Sequence, residues 1–149
     1  LICRWVDDLV VGIIPCWELS LQESFMGAVD IARALFGAFE ASDMAKVRSL
    51  CRDDLVAWQN NKHRMSLDTL VKFSSLVTDR VTSFRYEDVI CVPTENGFVE
   101  EHRVRGTTPN GTELDLAICI VGVIEGDEII ELREYFDTAS AAALADALR

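Results

Sequence analysis

Positive charge and histidine are what this chain has least of. Only 14 Lys and Arg stand against 25 Asp and Glu, for a formal net charge of −11 over 149 residues. Nucleic acids are held by clusters of Lys and Arg that neutralise phosphates, so this balance excludes a nucleic-acid partner. The one close basic grouping, His102, Arg103 and Arg105, is flanked by Glu100 and Glu101 and forms no phosphate track. Just two histidines occur, His63 and His102, with no H-x-x-x-H, H-E-x-x-H or clustered Cys/His spacing, so no metal site is expected. Gly-rich phosphate loops and a G-x-S-x-G elbow are missing too, and no cofactor is expected. No apolar run approaches the ~20 residues that span a bilayer: Leu9 to Trp17 is broken by Gly12 and Pro15, and it follows Asp7 and Asp8 rather than a basic region. Neither membrane nor signal peptide is expected. The five cysteines (Cys3, Cys16, Cys51, Cys91, Cys119) are odd in number and lack any C-x-x-C pair. They read as small hydrophobes in a reducing, cytoplasmic setting rather than as a disulfide framework.

What is present is hydrophobicity, at 50% of residues. A chain of this length is one domain's worth and buries roughly 68–70% of its unfolded surface. Residues 1–20 fit the remainder poorly and read as an N-terminal extension that packs on the domain or on a neighbouring copy. Residues 21–149 read as a single domain. Ser20-Leu21-Gln22-Glu23 has capping-box spacing. Phe25, Ala28, Val29, Ala32, Leu35, Phe36 and Phe39 then recur at helical spacing to about Ala41. Ser42-Asp43 starts a short second helix, Leu55 to Asn61 a first strand, and Ser66 caps a third helix. After about Thr82 the period becomes two. Strands are expected at roughly 82–92, 98–107, 112–125 and 128–136, separated by Asn96-Gly97, Pro109-Asn110-Gly111 and Gly126-Asp127. Asp137 then caps an alanine-rich C-terminal helix. Helices segregated from a run of strands give an α+β fold. The expected form is a cone-shaped, curved antiparallel (mixed) sheet packed with three to four helices and enclosing an apolar pocket.

Alternation picks out the polar residues of that pocket. In the last strand Glu128, Ile130, Leu132, Glu134 and Phe136 share one side, read as the core face. Glu134 is then a carboxylate between Leu132 and Phe136, where desolvation tunes it for general acid or base work. Phe98, Glu100, His102 and Val104 share the inner side of an earlier strand, so His102 points with the apolar residues. Trp58 and Asn60 share a face of the first strand, an indole and an amide able to hold a water or a ligand oxygen. Asp115 lies in a strand apolar on both sides, which leaves it facing either the pocket or a second subunit. His63, in Asn60-Asn61-Lys62-His63-Arg64, reads as exposed loop.

The stretches Phe36-Gly37-Ala38-Phe39-Glu40-Ala41-Ser42-Asp43, Val56-Ala57-Trp58-Gln59-Asn60 and Glu131-Leu132-Arg133-Glu134-Tyr135-Phe136-Asp137 resemble the NTF2-like superfamily. Within it the SnoaL-like branch is most similar, with polyketide cyclases, ketosteroid isomerases and limonene epoxide hydrolases among its members. The resemblance spans residues 23 to 147 and implies an α+β barrel and a homodimer through the sheet. It aligns the epoxide hydrolases' water-activating Asp with Glu134 and their water-holding Asn and Tyr with Asn60 and Trp58. Their Arg-x-Asp pair falls at His102 and Val104 and is absent. The ketosteroid isomerases' oxyanion-holding Tyr falls at Phe36 and their base Asp at Asn60, so that set is absent as well.

These readings converge on a cofactor-free enzyme doing hydrolase-, isomerase- or cyclase-type acid/base chemistry on a small apolar, oxygen-bearing molecule. Glu134, His102 and Asn60 are the expected catalytic groups, with Trp58, Phe36, Leu132, Val104 and Asp115 around the ligand. The alternative is a binding module that holds a small hydrophobic ligand in the same pocket and transforms nothing.

Overall fold

A computed structural model describes residues 16–149, with side chains described from residue 27 onward. The extension assigned to residues 1–20 therefore lies largely outside the described residues. The elements run α1 (Cys16–Glu40), α2 (Met44–Leu50), β1 (Cys51–Gln59), β2 (His63–Ser66), α3 (Leu67–Arg80), β3 (Thr82–Thr94), β4 (Gly97–Thr107), β5 (Glu113–Glu125), β6 (Glu128–Phe136) and α4 (Ala142–Ala147). Because α1 begins at Cys16, the Ser20–Glu23 capping spacing falls inside the helix rather than at its start. Asp43 and Ser66 do cap: their side chains accept from the backbone N–H of Lys46 and Thr69, at 2.9 and 3.3 Å. Asp137 accepts instead from the N–H groups of Ala139 and Ser140, in the turn that leads into α4.

The strands form one six-stranded mixed sheet in the order β2-β1-β6-β5-β4-β3. Every pairing is antiparallel except β1 with β6. The two edge strands, β2 and β3, do not pair with each other, so the sheet stays open and is no closed barrel. Its bends have identifiable sources. Register shifts interrupt β3 between Thr82 and Arg85 and again between Glu87 and Ile90, where Ser83 and Asp88 sit at positive φ. Such bulges bend a strand and sharpen its twist. Helices α1 and α3 cover the inner face. Ala32, Leu35, Phe36 and Phe39 of α1 and Leu67, Val71 and Val77 of α3 meet Leu55, Phe98, Leu116, Ile118 and Ile129 in one core.

Three local expectations change. The segment after Gln59 is no loop: Asn60 and Asn61 both lie at positive φ, Lys62 N–H bonds Gln59 O at 3.0 Å, and the chain returns as β2. Asparagine tolerates that left-handed backbone, which makes Asn60-Asn61 a hairpin turn. His63 is exposed, but on a strand. In β6 the pairing skips Ile130, because Ile124 sits opposite Ile129 while Val123 sits opposite Glu131. The alternation therefore slips there, so that Ile129 is fully buried and Ile130 only partly. Leu132 and Glu134, past the bulge, keep the inward side.

Candidate functional site

Strand β4 supplies the most unusual group. Phe98, Glu100, His102 and Val104 alternate inward and are all buried, whereas Glu101 is exposed and Arg103 and Arg105 reach the outer face. Two residues apart on one face, Glu100 and His102 can touch, and His102 Nδ1 lies 3.0 Å from Glu100 Oε1. Glu100 is 1% exposed and His102 4%. The other Glu100 oxygen, Oε2, has no hydrogen-bond partner among the described residues. The imidazole is packed by Tyr86 of β3, with ring centroids 4.3 Å apart, and by Phe36 of α1 at 5.2 Å. Burial, with the charges of Glu134 and Glu100 beside it, pushes the Tyr86 hydroxyl up and keeps it protonated.

Glu134 enters from β6, whose parallel partner β1 places Gln59 directly beside it. Gln59 Nε2 donates to Glu134 Oε2 at 2.7 Å. Burial raises the Glu134 carboxyl above its ordinary range, opposed by the Gln59 hydrogen bond and the charge of His102. Glu134 and His102 thus hold different partners and do not bond each other. Both line one cavity of about 110 Å³, together with Phe36, Trp58, Gln59, Tyr86, Val104 and Leu132. Phe39, Phe73, Phe84, Val77 and Leu144 belong to a mostly apolar wall that also carries the Ser74 and Thr78 hydroxyls, with no Lys or Arg among the lining residues. An engineered apolar cavity of ~150 Å³ holds benzene, so this space suits a molecule of about one small ring. Among the described residues no three His, Cys, Asp or Glu side chains gather closely enough to hold a metal ion.

Of the remaining sequence candidates, Asn60 and Asp115 fall elsewhere and Trp58 lies at the cavity wall. Asn60 spends its amide on the β6 backbone: Nδ2 donates to Phe136 O and Oδ1 accepts from Phe136 N–H, both at 3.0 Å. It clamps the turn to β6 and is not among the lining residues. Trp58 borders the cavity but is paired with Arg133 on one side and Arg64 on the other, and the Arg64 guanidinium lies 5.8 Å from its ring. Asp115 is on the outer face, exposed and bonded by Arg103 Nε at 2.6 Å and Arg105 Nη1 at 3.0 Å. Those guanidiniums hold its carboxyl below the usual range. Burial pushes the Cys51 thiol up to about 12 and Cys91 up to about 11, and raises Cys119 as well, which favours the protonated thiol in each.

Three residues of the site escaped the sequence reading as functional groups: Gln59, Tyr86 and Glu100. Gln59 follows from the parity of Leu55 and Ala57, both buried, which the pairing of Trp58 with Asn60 inverted. The Glu-x-His spacing inside an alternating strand was the signal for Glu100. Tyr86 gave none, because the bulges of β3 scramble its alternation.

No family model matches the chain, and no curated protein does. Solved structures do match. An LEH-like epoxide hydrolase of M. tuberculosis aligns at a TM-score of 0.67 and 17% identity, over 84% of this chain and 91% of its own. A proposed polyketide cyclase of Xanthomonas campestris aligns at 0.71 and 17% identity, over 80% and 97%. An NTF2-like protein of unknown function from Burkholderia pseudomallei aligns at 0.69 and 17% identity, over 78% and 96%. Likeness at this level of identity shows a shared fold.

Proposed function

We propose that this chain, which has the NTF2-like fold, is a SnoaL-like enzyme. It carries out cofactor-free acid/base chemistry on a small, neutral, apolar molecule bearing oxygen. One observation carries the reading: Glu134 and His102, two proton-carrying groups with separate partners, stand on the wall of a single apolar cavity. Each holds its partner through one atom, Glu134 Oε2 and His102 Nδ1, and each has a second, Oε1 and Nε2, with which to address a ligand. The epoxide hydrolase and cyclase names among the structural neighbours support the same class of chemistry. The epoxide hydrolases' Arg-x-Asp pair is replaced here by His102 and Val104, so the proton traffic runs through different groups. Phe36, Val104, Leu132 and Trp58 shape the ligand's apolar flank. A lining without Lys or Arg, beside a carboxyl group, disfavours an anionic ligand.

Small epoxides, ketones and amides, screened by thermal shift beside their carboxylate counterparts, test this. A neutral ligand at 100 times its Kd adds about 2.7 kcal/mol, a rise of roughly 5–10 °C for a chain this size. The carboxylates are expected to give no shift, and the hits are expected to be converted when followed by mass spectrometry. Binding without conversion overturns the enzyme reading and leaves a binding module.

The outer sheet face is the proposed homodimer surface. Val99 of β4 stands opposite Val121 of β5, Val92 of β3 is 50% exposed beside Val99, and Ala117 and Cys119 extend the patch. Sedimentation at micromolar concentration is expected to show a dimer, and Val121→Lys a monomer. A wild-type monomer overturns the surface.

A further inference from the structure

Glu100 is a buried acid whose Oε1 lies 3.0 Å from an imidazole on the cavity wall, and its other polar neighbour is the Cys91 thiol across the β3–β4 pair, a weak donor that cannot neutralise a carboxylate. A buried carboxylate that only supported the fold would be expected to spend both oxygens on backbone N–H groups or on a guanidinium. The nearest arginines in sequence, Arg103 and Arg105, are committed to Asp115 and Glu87 on the opposite face. Among the described residues, His102 is thus the one basic side chain that Glu100 bonds. As a carboxylate, Glu100 accepts and cannot donate, and a neutral ring facing it then carries its hydrogen on Nδ1. Tyr86 and Phe36 pack the ring and restrain it from flipping.

We infer that Glu100 is a positioning residue: it holds His102 in the Nδ1–H tautomer, so that Nε2 is offered to the cavity as proton acceptor and Glu134 serves as the donor. This division of labour rests on the proposed acid/base role of Glu134 and His102. The balance closes within the site. One proton passes from the substrate to Nε2 and one from Glu134 to the substrate, leaving an imidazolium beside the Glu100 carboxylate and a Glu134 carboxylate bonded by Gln59. The imidazolium then gives up its proton and Glu134 takes one up, through a new position on the product or through water, and the starting state of the enzyme is restored. Burial of Glu134 agrees with this order, since it favours the protonated form of that group.

The test is the 15N spectrum of the His102 ring in the whole protein, in its neutral form, with His63 assigned by its own substitution. The wild type is expected to show predominantly the Nδ1–H tautomer. Glu100→Gln, whose amide can donate to Nδ1, is expected to bring up the Nε2–H form. With a substrate from the screen, E100Q is expected to lower kcat by about 10²–10⁴-fold with KM within about twofold. A wild-type ring in the Nε2–H form overturns the inference and needs no variant to fold. Unchanged turnover in E100Q, with E134Q inactive, overturns the positioning role and leaves the acid/base reading standing. Unchanged turnover in both overturns both.

Discussion

Replacing Glu134 by Gln is expected to lower kcat by about 10²–10⁴-fold and, at neutral and higher pH, to make the protein more stable. Both effects come from one property of the site. Glu134 is bonded by Gln59 and set among Leu132, Phe136 and the aromatic lining of the cavity, and burial favours its uncharged form. Its folded pKa is therefore raised above the ordinary 4.5. The folded state then binds the proton more tightly than the unfolded chain does. Its contribution to stability is full below the unfolded value and is lost as pH rises through the folded one. Above that window the wild type holds a carboxylate in a poor environment. Gln has nearly the same shape, keeps an oxygen to accept from Gln59, and has no proton to lose. Melting temperatures measured from pH 4 to pH 9 are thus expected to diverge, the wild type falling progressively below E134Q. Parallel curves would show that Glu134 is not desolvated, and the argument for it as a proton donor would go with them. Such a trade, stability given up for a tuned group, is common at active sites.

The strands that carry the site were legible because period two and turn chemistry are local signals. Asn96-Gly97 and Gly126-Asp127 mark hairpins where they occur, and alternation correctly turned His102 and Glu100 inward and Arg103 and Arg105 outward. The losses came where the geometry is not local. Gln59 reaches Glu134 through a parallel pairing of strands 75 positions apart, and no spacing within β1 announces that neighbour. The bulge at Ile130 reverses the parity of its strand for two residues, and a pattern read straight through puts Ile130 in the place of Ile129. Asn60 attracted attention as an amide beside an apolar strand, but its left-handed backbone spends that amide on Phe136. Apolar residues on both sides of β5 leave Asp115 open between pocket and subunit interface in the sequence, and the partners that place it on the outer face are arginines on the next strand.

Gly122→Ala is expected to destabilise the fold by about 1–3 kcal/mol, a fall of roughly 3–10 °C in melting temperature. Gly122 lies directly across from Phe98 in the β4–β5 pair, and a Cβ there would stand 2.3 Å from two atoms of the Phe98 ring. Phe98 is fully buried, so the ring has no solvent to move into. Its edge meets Phe36, centroids 6.3 Å apart and planes at 86°, and Phe36 in turn packs on His102 and lines the cavity. Displacing Phe98 therefore presses on the aromatic support of His102, and ligand affinity is expected to fall together with stability. Phe98→Leu removes the ring that the new methyl meets, and in its presence Gly122→Ala is expected to cost much less than alone. The coupling between the two substitutions is expected to exceed about 0.5 kcal/mol, the level at which independent sites cease to add. Denaturant melts of the four proteins in that cycle decide the matter: additive losses, or a Gly122→Ala variant as stable as wild type, would mean that the glycine is not there to seat Phe98.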